Sequence, residues 1–209
     1  MSKLATEVLL KERAAMCDTF ETVGADAPTL CEGWLTLDLA AHLVTREARS
    51  DAAAGLVIPF LAGHLQKVMA KYKTKGYEPL VAMLRTGPPW MHRTGPLATA
   101  NVNENFVHHE DIRRAQGDAP RPLDPVMGDI LWKLAGFGMR KKSLPGVALT
   151  LRTPDGREKA VTKEGLPVGL IGDAGELALY LSGRKGAAVV TFEGAEAGVE
   201  IVRNAKFGI

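Results

Sequence analysis

Apolar residues recur at helical spacing through Leu4, Val8, Leu9, Met16, Phe20 and Val23, which predicts a first helix ending near Val23. A turn follows at about residues 24–33, and Thr36 is the expected N-cap of a second helix from about Leu37 to Ala54. A third helical stretch is expected over about Pro59 to Lys73, and a shorter one over Pro79 to Leu84. The fourth long helix should run from about Leu97 or Asn101 to Gln116, where Gly117 and the proline-rich Ala119-Pro120-Arg121-Pro122 end it. Four long helices joined by modest loops make an antiparallel bundle the expected architecture.

The pattern changes near residue 145. Leu123 to Met139 still reads as helix. Val147 to Thr153 then alternates, Pro154-Asp155-Gly156 is a turn, and Glu158 to Thr162 returns, which together predict a hairpin. Asp173 with Glu176 three residues on is the signature of a capping box for a helix from Ala174 to Leu181, stopped by Gly183. Ala187 to Phe192 and Val199 to Val202 read as further strands. The expected fold class is therefore α+β, with a helical bundle over residues 1–145 and a small α+β domain over residues 146–209. Small-molecule sites favour domain boundaries, so the second part is expected to supply one wall of any pocket.

Composition narrows the partners. Twenty-six Lys and Arg against 24 Asp and Glu give a formal charge of +2, too little to imply nucleic acid. The basic run Arg140-Lys141-Lys142 is short and reads as a solvated loop. No apolar stretch approaches the ~20 residues of a membrane span, and Glu7, Lys11, Glu12 and Arg13 make the N-terminal segment too charged for a signal peptide. A cytoplasmic location is expected. Cys17 and Cys31 lack the spacing of a metal knuckle or the density of a disulfide scaffold. Cys17 fits a core position, and Cys31 sits just before the second helix.

The candidate chemistry lies in Glu104-x-x-x-His108-x-x-Asp111. At about 100° per residue these three side chains share the helix face that collects Val107, Ile112 and Ala115, while Asn105, His109, Arg113 and Gln116 fall on the far side. Ionisable groups on a buried face are costly unless paired or bound to a metal. A Glu and a His one turn apart are a ligand pair for a divalent cation, so this segment reads as half of a metal site. The remaining histidines are the candidates for a third ligand. His42 is the best placed, among apolar residues, although it lies at the edge of its arc between Leu39 and Asp38, where a satisfied boundary histidine is the commoner outcome. His64 and His92 fall in less periodic segments, and His109 points away from Glu104, which predicts a solvated position. Arg46, one turn beyond His42, could hold a carboxylate of a thiol or substrate; the alternative is an ordinary solvated helix arginine.

Thr29-Leu30-Cys31-Glu32-Gly33-Trp34-Leu35-Thr36-Leu37-Asp38-Leu39-Ala40-Ala41-His42-Leu43, taken with Glu104 to Asp111, resembles the metal-binding domain of the mycothiol-dependent maleylpyruvate isomerase family, a branch of the DinB-like four-helix bundles. In that family the His of the first segment and the Glu and His of the second hold a divalent metal, usually taken as zinc. The resemblance implies metal ligation by His42, Glu104 and His108, a polar site role for Asp111, and mycothiol as thiol cosubstrate. Leu177 to Arg184 is similar to the helix and Gly-Arg ending of the family's C-terminal domain. Isomerase-type members close with a helix, in contrast to the strand-like reading of Ala187 to Ile209, and no equivalent of their C-terminal arginine is placed here.

An open site with two His and one Glu suits catalysis more than structure. The resemblance implies an isomerase or S-transferase in which a metal-bound thiolate attacks a small electrophilic substrate, with Asp111 as proton acceptor or orienting group and Arg46 contacting the thiol. Two other readings stay open: a hydrolase whose metal-bound water is the nucleophile, and a non-enzymatic metal- or thiol-binding protein. The expected partners are thus a small thiol and a small substrate, with no nucleic acid, no membrane and a homodimer left open.

Overall fold

The computed structural model describes residues 2–53, 55, 58–88, 96–136 and 144–208, so His92 and the run Arg140-Lys141-Lys142 lie outside the described residues. The chain is α+β and divides into two compact units, Met1–Ala119 and Pro120–Ile209.

The first unit contains α1 (Ser2–Val23), α2 (Thr36–Ala48), the short α3 (Ser50–Ala53), a 3-10 turn at Pro59–Leu61 leading into α4 (Ala62–Lys73), α5 (Tyr77–Thr86) and α6 (Pro96–Ala115). α1 packs on α6 and α5, and α2 on α4 and α5. Met16, Phe20, Leu39, Leu43, Leu80, Leu84 and Ile112 form one apolar core across these helices. Each such side chain contributes roughly 1.5–3 kcal/mol by leaving water. Leu4, at the start of the α1 stripe, is 53% exposed and takes no part.

Two local expectations are corrected. Thr36 is not the N-cap: α2 already includes it, its hydroxyl donates to the Gly24 carbonyl, and Asp38 instead accepts from the Leu35 N–H at 3.1 Å. Nor does α6 have a solvated side over its central turns. Every residue from Asn105 to Ile112 is buried, including Asn105 and His109. A single-face wheel assumes one packed side, whereas α6 runs along α1 and has further side-chain contacts beyond it.

The second unit opens with α7 (Pro125–Leu134), where the Asp124 carboxylate accepts from the Val126 N–H at 2.8 Å and Pro125 takes the first helical turn. A four-stranded sheet follows in the order β2-β1-β3-β4, built from β1 (Val147–Arg152), β2 (Glu158–Ala160), β3 (Leu166–Ile171) and β4 (Thr191–Gly194), with α8 (Ala174–Leu181) before β4 and α9 (Glu196–Asn204) after it. The β1–β2 hairpin is antiparallel, and β3 runs parallel to β1 with Leu149 opposite Val168 and Leu151 opposite Leu170. Those four residues are buried on one face, beneath Leu177, Tyr180, Val199 and Val202. Because α7 packs on α8, the contacts divide ahead of α7, whereas the sequence pattern changes at the hairpin.

The strand expected at Val199–Val202 is a helix. Val199 and Val202, three residues apart, are buried while Glu200 between them is exposed, a helical period that a short apolar run conceals. The strand expected over Ala187–Phe192 forms only from Thr191. β3 was not expected at all: Pro167 and Gly169 argue against a central strand. Pro167 is tolerated because pairing with β4 begins one residue later, at Val168 opposite Gly194. Gly165 enters β3 at φ +109°, with its missing Cβ against the Gly146 backbone, a turn open only to glycine. The capping box at α8 does not form either. Asp173 makes no side-chain cap, and the buried Glu176 instead accepts from the Val189 N–H at 2.7 Å.

Candidate metal centre

α2 carries His42 and Arg46; α6 carries Asn101, Glu104, His108 and Asp111. The His42 and His108 rings meet edge to face with centroids 5.4 Å apart, and Trp34, at the entrance to α2, sets its ring 5.0 Å from that of His42. Both histidines are buried, at 5% and 8% exposure. Glu104 lies one turn before His108, its Oε2 3.8 Å from His108 Nε2 and 3.5 Å from Arg46 Nε. Arg46 is held further by a 3.1 Å hydrogen bond from Nη1 to Asn101 Oδ1. Glu104, with a side chain 36% exposed, is the solvent-facing member of the group.

The other nitrogen of His108 is fixed from behind. Asp111, fully buried, places Oδ2 2.9 Å from His108 Nδ1. A carboxylate at that distance accepts from an Nδ1–H, the usual way it prepares a histidine ligand, and Nε2 faces Glu104. The spacing supports the same division of roles. A tetrahedral ion at ~2.0–2.1 Å from each donor holds neighbouring N and O atoms about 3.3 Å apart; 2.9 Å is a hydrogen bond, and 3.8 Å between Nε2 and Oε2 leaves room for a shared ion. Two imidazoles in ring contact and a carboxylate one turn away are donor types that a divalent cation takes.

Cys31 is the residue that sequence reasoning left at the margin. Its thiol lies 3.2 Å from the same Asp111 Oδ2, and potential ligand atoms of Cys31, His108 and Asp111 all fall within 4.8 Å of one another. Cys17 has the core position expected of it: burial pushes its thiol pKa up to about 11. His64 is on the surface, its Nε2 2.9 Å from Asp51.

The neighbouring His109 is buried, contrary to expectation, with Nδ1 2.7 Å from Glu12 Oε1 and Nε2 2.9 Å from Thr19 Oγ1. Next to Glu12 on α1, Arg13 makes a buried two-pronged pair with Glu47 of α2, at 2.6 and 2.5 Å, and donates through Nε to the Leu84 carbonyl. Adjacent residues of α1 thus tie both helices that carry the candidate donors. The signal was present in the chain: Arg13 occupies the slot between Leu9 and Met16 in the row that Phe20 continues, the same anomaly that marks Glu104 and His108.

No protein-family model matches the sequence, and no curated protein does. Among solved structures the chain is similar to the mycothiol-dependent maleylpyruvate isomerase, at 16% identity and TM-score 0.64 over 91% of this chain and 92% of that one. They share a fold. A histidine-to-alanine mutant of that enzyme aligns over the same shares at 16% identity, with TM-score 0.60.

Proposed function

We propose that this protein binds a divalent metal, zinc first among the candidates, through His42, Glu104 and His108, and is a thiol-dependent isomerase or S-transferase that uses mycothiol. The observation that carries this reading is His108, oriented by Asp111 on one nitrogen and turned toward Glu104 with the other, in a fold shared with an enzyme named for its dependence on mycothiol. A bound divalent ion would hold a coordinated thiol as thiolate at neutral pH and polarise a substrate oxygen.

The chain's own residues do the rest. Asp111 keeps the His108 proton on Nδ1, and its complete burial gives it a positioning part in place of direct proton exchange with substrate. Arg46, anchored by Asn101 beside Glu104, presents a guanidinium edge to a carboxylate of the thiol or the substrate. Trp34 packs its ring beside the buried His42.

The test is elemental analysis of the purified protein followed by calorimetric titration with mycothiol and with glutathione. One equivalent of metal is expected, with mycothiol binding to the loaded protein, not to the apoprotein or a His108→Ala variant. Absence of metal, or equal thiol binding by the apoprotein, would overturn the proposal. Ester hydrolysis by the loaded protein without thiol would instead select water as the nucleophile.

A further inference from the structure

Cys31 stands in a loop built to hold it. Thr29 Oγ1 donates to the Trp34 carbonyl at 2.8 Å and accepts from the Cys31 N–H at 3.2 Å. The loop is fastened to α6 beside the candidate site, with Leu30 N–H donating to the Asp111 carbonyl at 3.0 Å and Gln116 Nε2 to the Pro28 carbonyl at 3.0 Å. Backbone and side chain of Asp111 are therefore both engaged by residues 30 and 31.

We propose that Cys31 is a positioning residue of the metal centre: its thiol donates to Asp111 Oδ2 and holds that carboxylate where it fixes His108. This rests on the reading of His42, Glu104 and His108 as metal donors. One oxygen receives both neighbours, His108 Nδ1 at 2.9 Å and Cys31 Sγ at 3.2 Å, so the three groups form a chain that runs from the partly exposed thiol to the nitrogen facing Glu104.

A competing arrangement would have Cys31, Asp111 and His108 bind the ion themselves. The distances speak against it, because a tetrahedral ion would spread Nδ1 and Oδ2 to about 3.3 Å, whereas they stand at hydrogen-bond separation. A thiol is a weak donor, and here it meets a carboxylate oxygen as acceptor. Without it, Asp111 Oδ2 loses a donor in a fully buried place and turns to seek another, and His108 loses its fixed orientation.

The experiment compares Co2+ binding and absorption spectra of the wild type, Cys31→Ser, Cys31→Ala and His108→Ala, together with nitrogen-15 spectra that report the His108 tautomer in the apoproteins. The wild type should take up Co2+ with no thiolate-to-metal charge-transfer band. Serine, which can still donate, should bind close to wild type; alanine should bind about tenfold more weakly and show a mixed His108 tautomer, in an apoprotein that still unfolds cooperatively. A charge-transfer band in the wild type that serine abolishes would make Cys31 a ligand and overturn the proposal. Alanine binding as tightly as wild type, while His108→Ala binds nothing, would also overturn it and leave the metal reading standing. Undiminished binding by His108→Ala would bring down both.

Discussion

Asp111 and His109 sit two residues apart on α6, both buried, and differ in what they hold. His109 is engaged on both ring nitrogens by α1, through Glu12 and Thr19, and so has no lone pair directed at the site. Asp111 engages the nitrogen of His108 that faces away from Glu104. A hydrogen bond to a charged acceptor is worth about 1.5–3 kcal/mol, which matches the roughly 10- to 100-fold loss of metal affinity that follows removal of a histidine's supporting carboxylate. Asp111→Asn keeps the shape and an acceptor oxygen but not the charge. It should weaken metal binding about tenfold and leave folding intact, measured by chelator competition and thermal melting. Unchanged affinity would mean that Asp111 does not orient His108, and a loss as complete as in His108→Ala would make it a ligand.

At the scale of elements, the brace on α1 links the two helices that carry the candidate donors. Replacing a buried ion pair with apolar residues of similar volume is often neutral or stabilising by about 1–4 kcal/mol, whereas removing one partner costs about 3–5 kcal/mol. Arg13→Met alone, leaving Glu47 buried and unpaired, should therefore lower stability by about 3–5 kcal/mol, and the double variant with Glu47→Leu should recover it, read from urea unfolding of all four corners of the cycle. Metal affinity should fall even in the recovered double variant, because Arg13 and Glu12 together tie α2 and α6. Recovered stability with wild-type affinity would reduce the brace to a replaceable part of the core. The helices themselves were legible because their apolar stripes repeat over many turns, and the hairpin because its turn chemistry is local. β3 was hidden by Pro167 and Gly169, whose tolerance depends on where β4 begins to pair, and α9 by a run too short to reveal its period. Glu104, His108 and Asp111 stood out as polar residues at apolar spacing, but the single-face reading failed, since Glu104 faces solvent while Asn105 to Ile112 are buried; the attachment of Cys31 left no signal, since a loop that reaches across 80 positions leaves no local periodicity.

For the whole molecule, the division at Ala119–Pro120 gathers His42, Glu104, His108, Asp111 and Cys31 in one unit with a core of its own. About 120 residues suffice for an independent domain. A chain ending at Ala119 should therefore fold cooperatively and bind metal with nearly the affinity of the full protein. A chain ending at residue 145 should behave worse despite being longer: it retains α7, whose Met127, Ile130 and Leu131 are buried, but lacks the α8 on which α7 packs. Exposing that stripe invites association. Calorimetry with metal, and sedimentation of both fragments, distinguish the cases. A fragment 1–119 that is folded but takes up no metal would show that the second unit completes the centre, whereas metal binding with no mycothiol binding would assign thiol capture to residues 120–209.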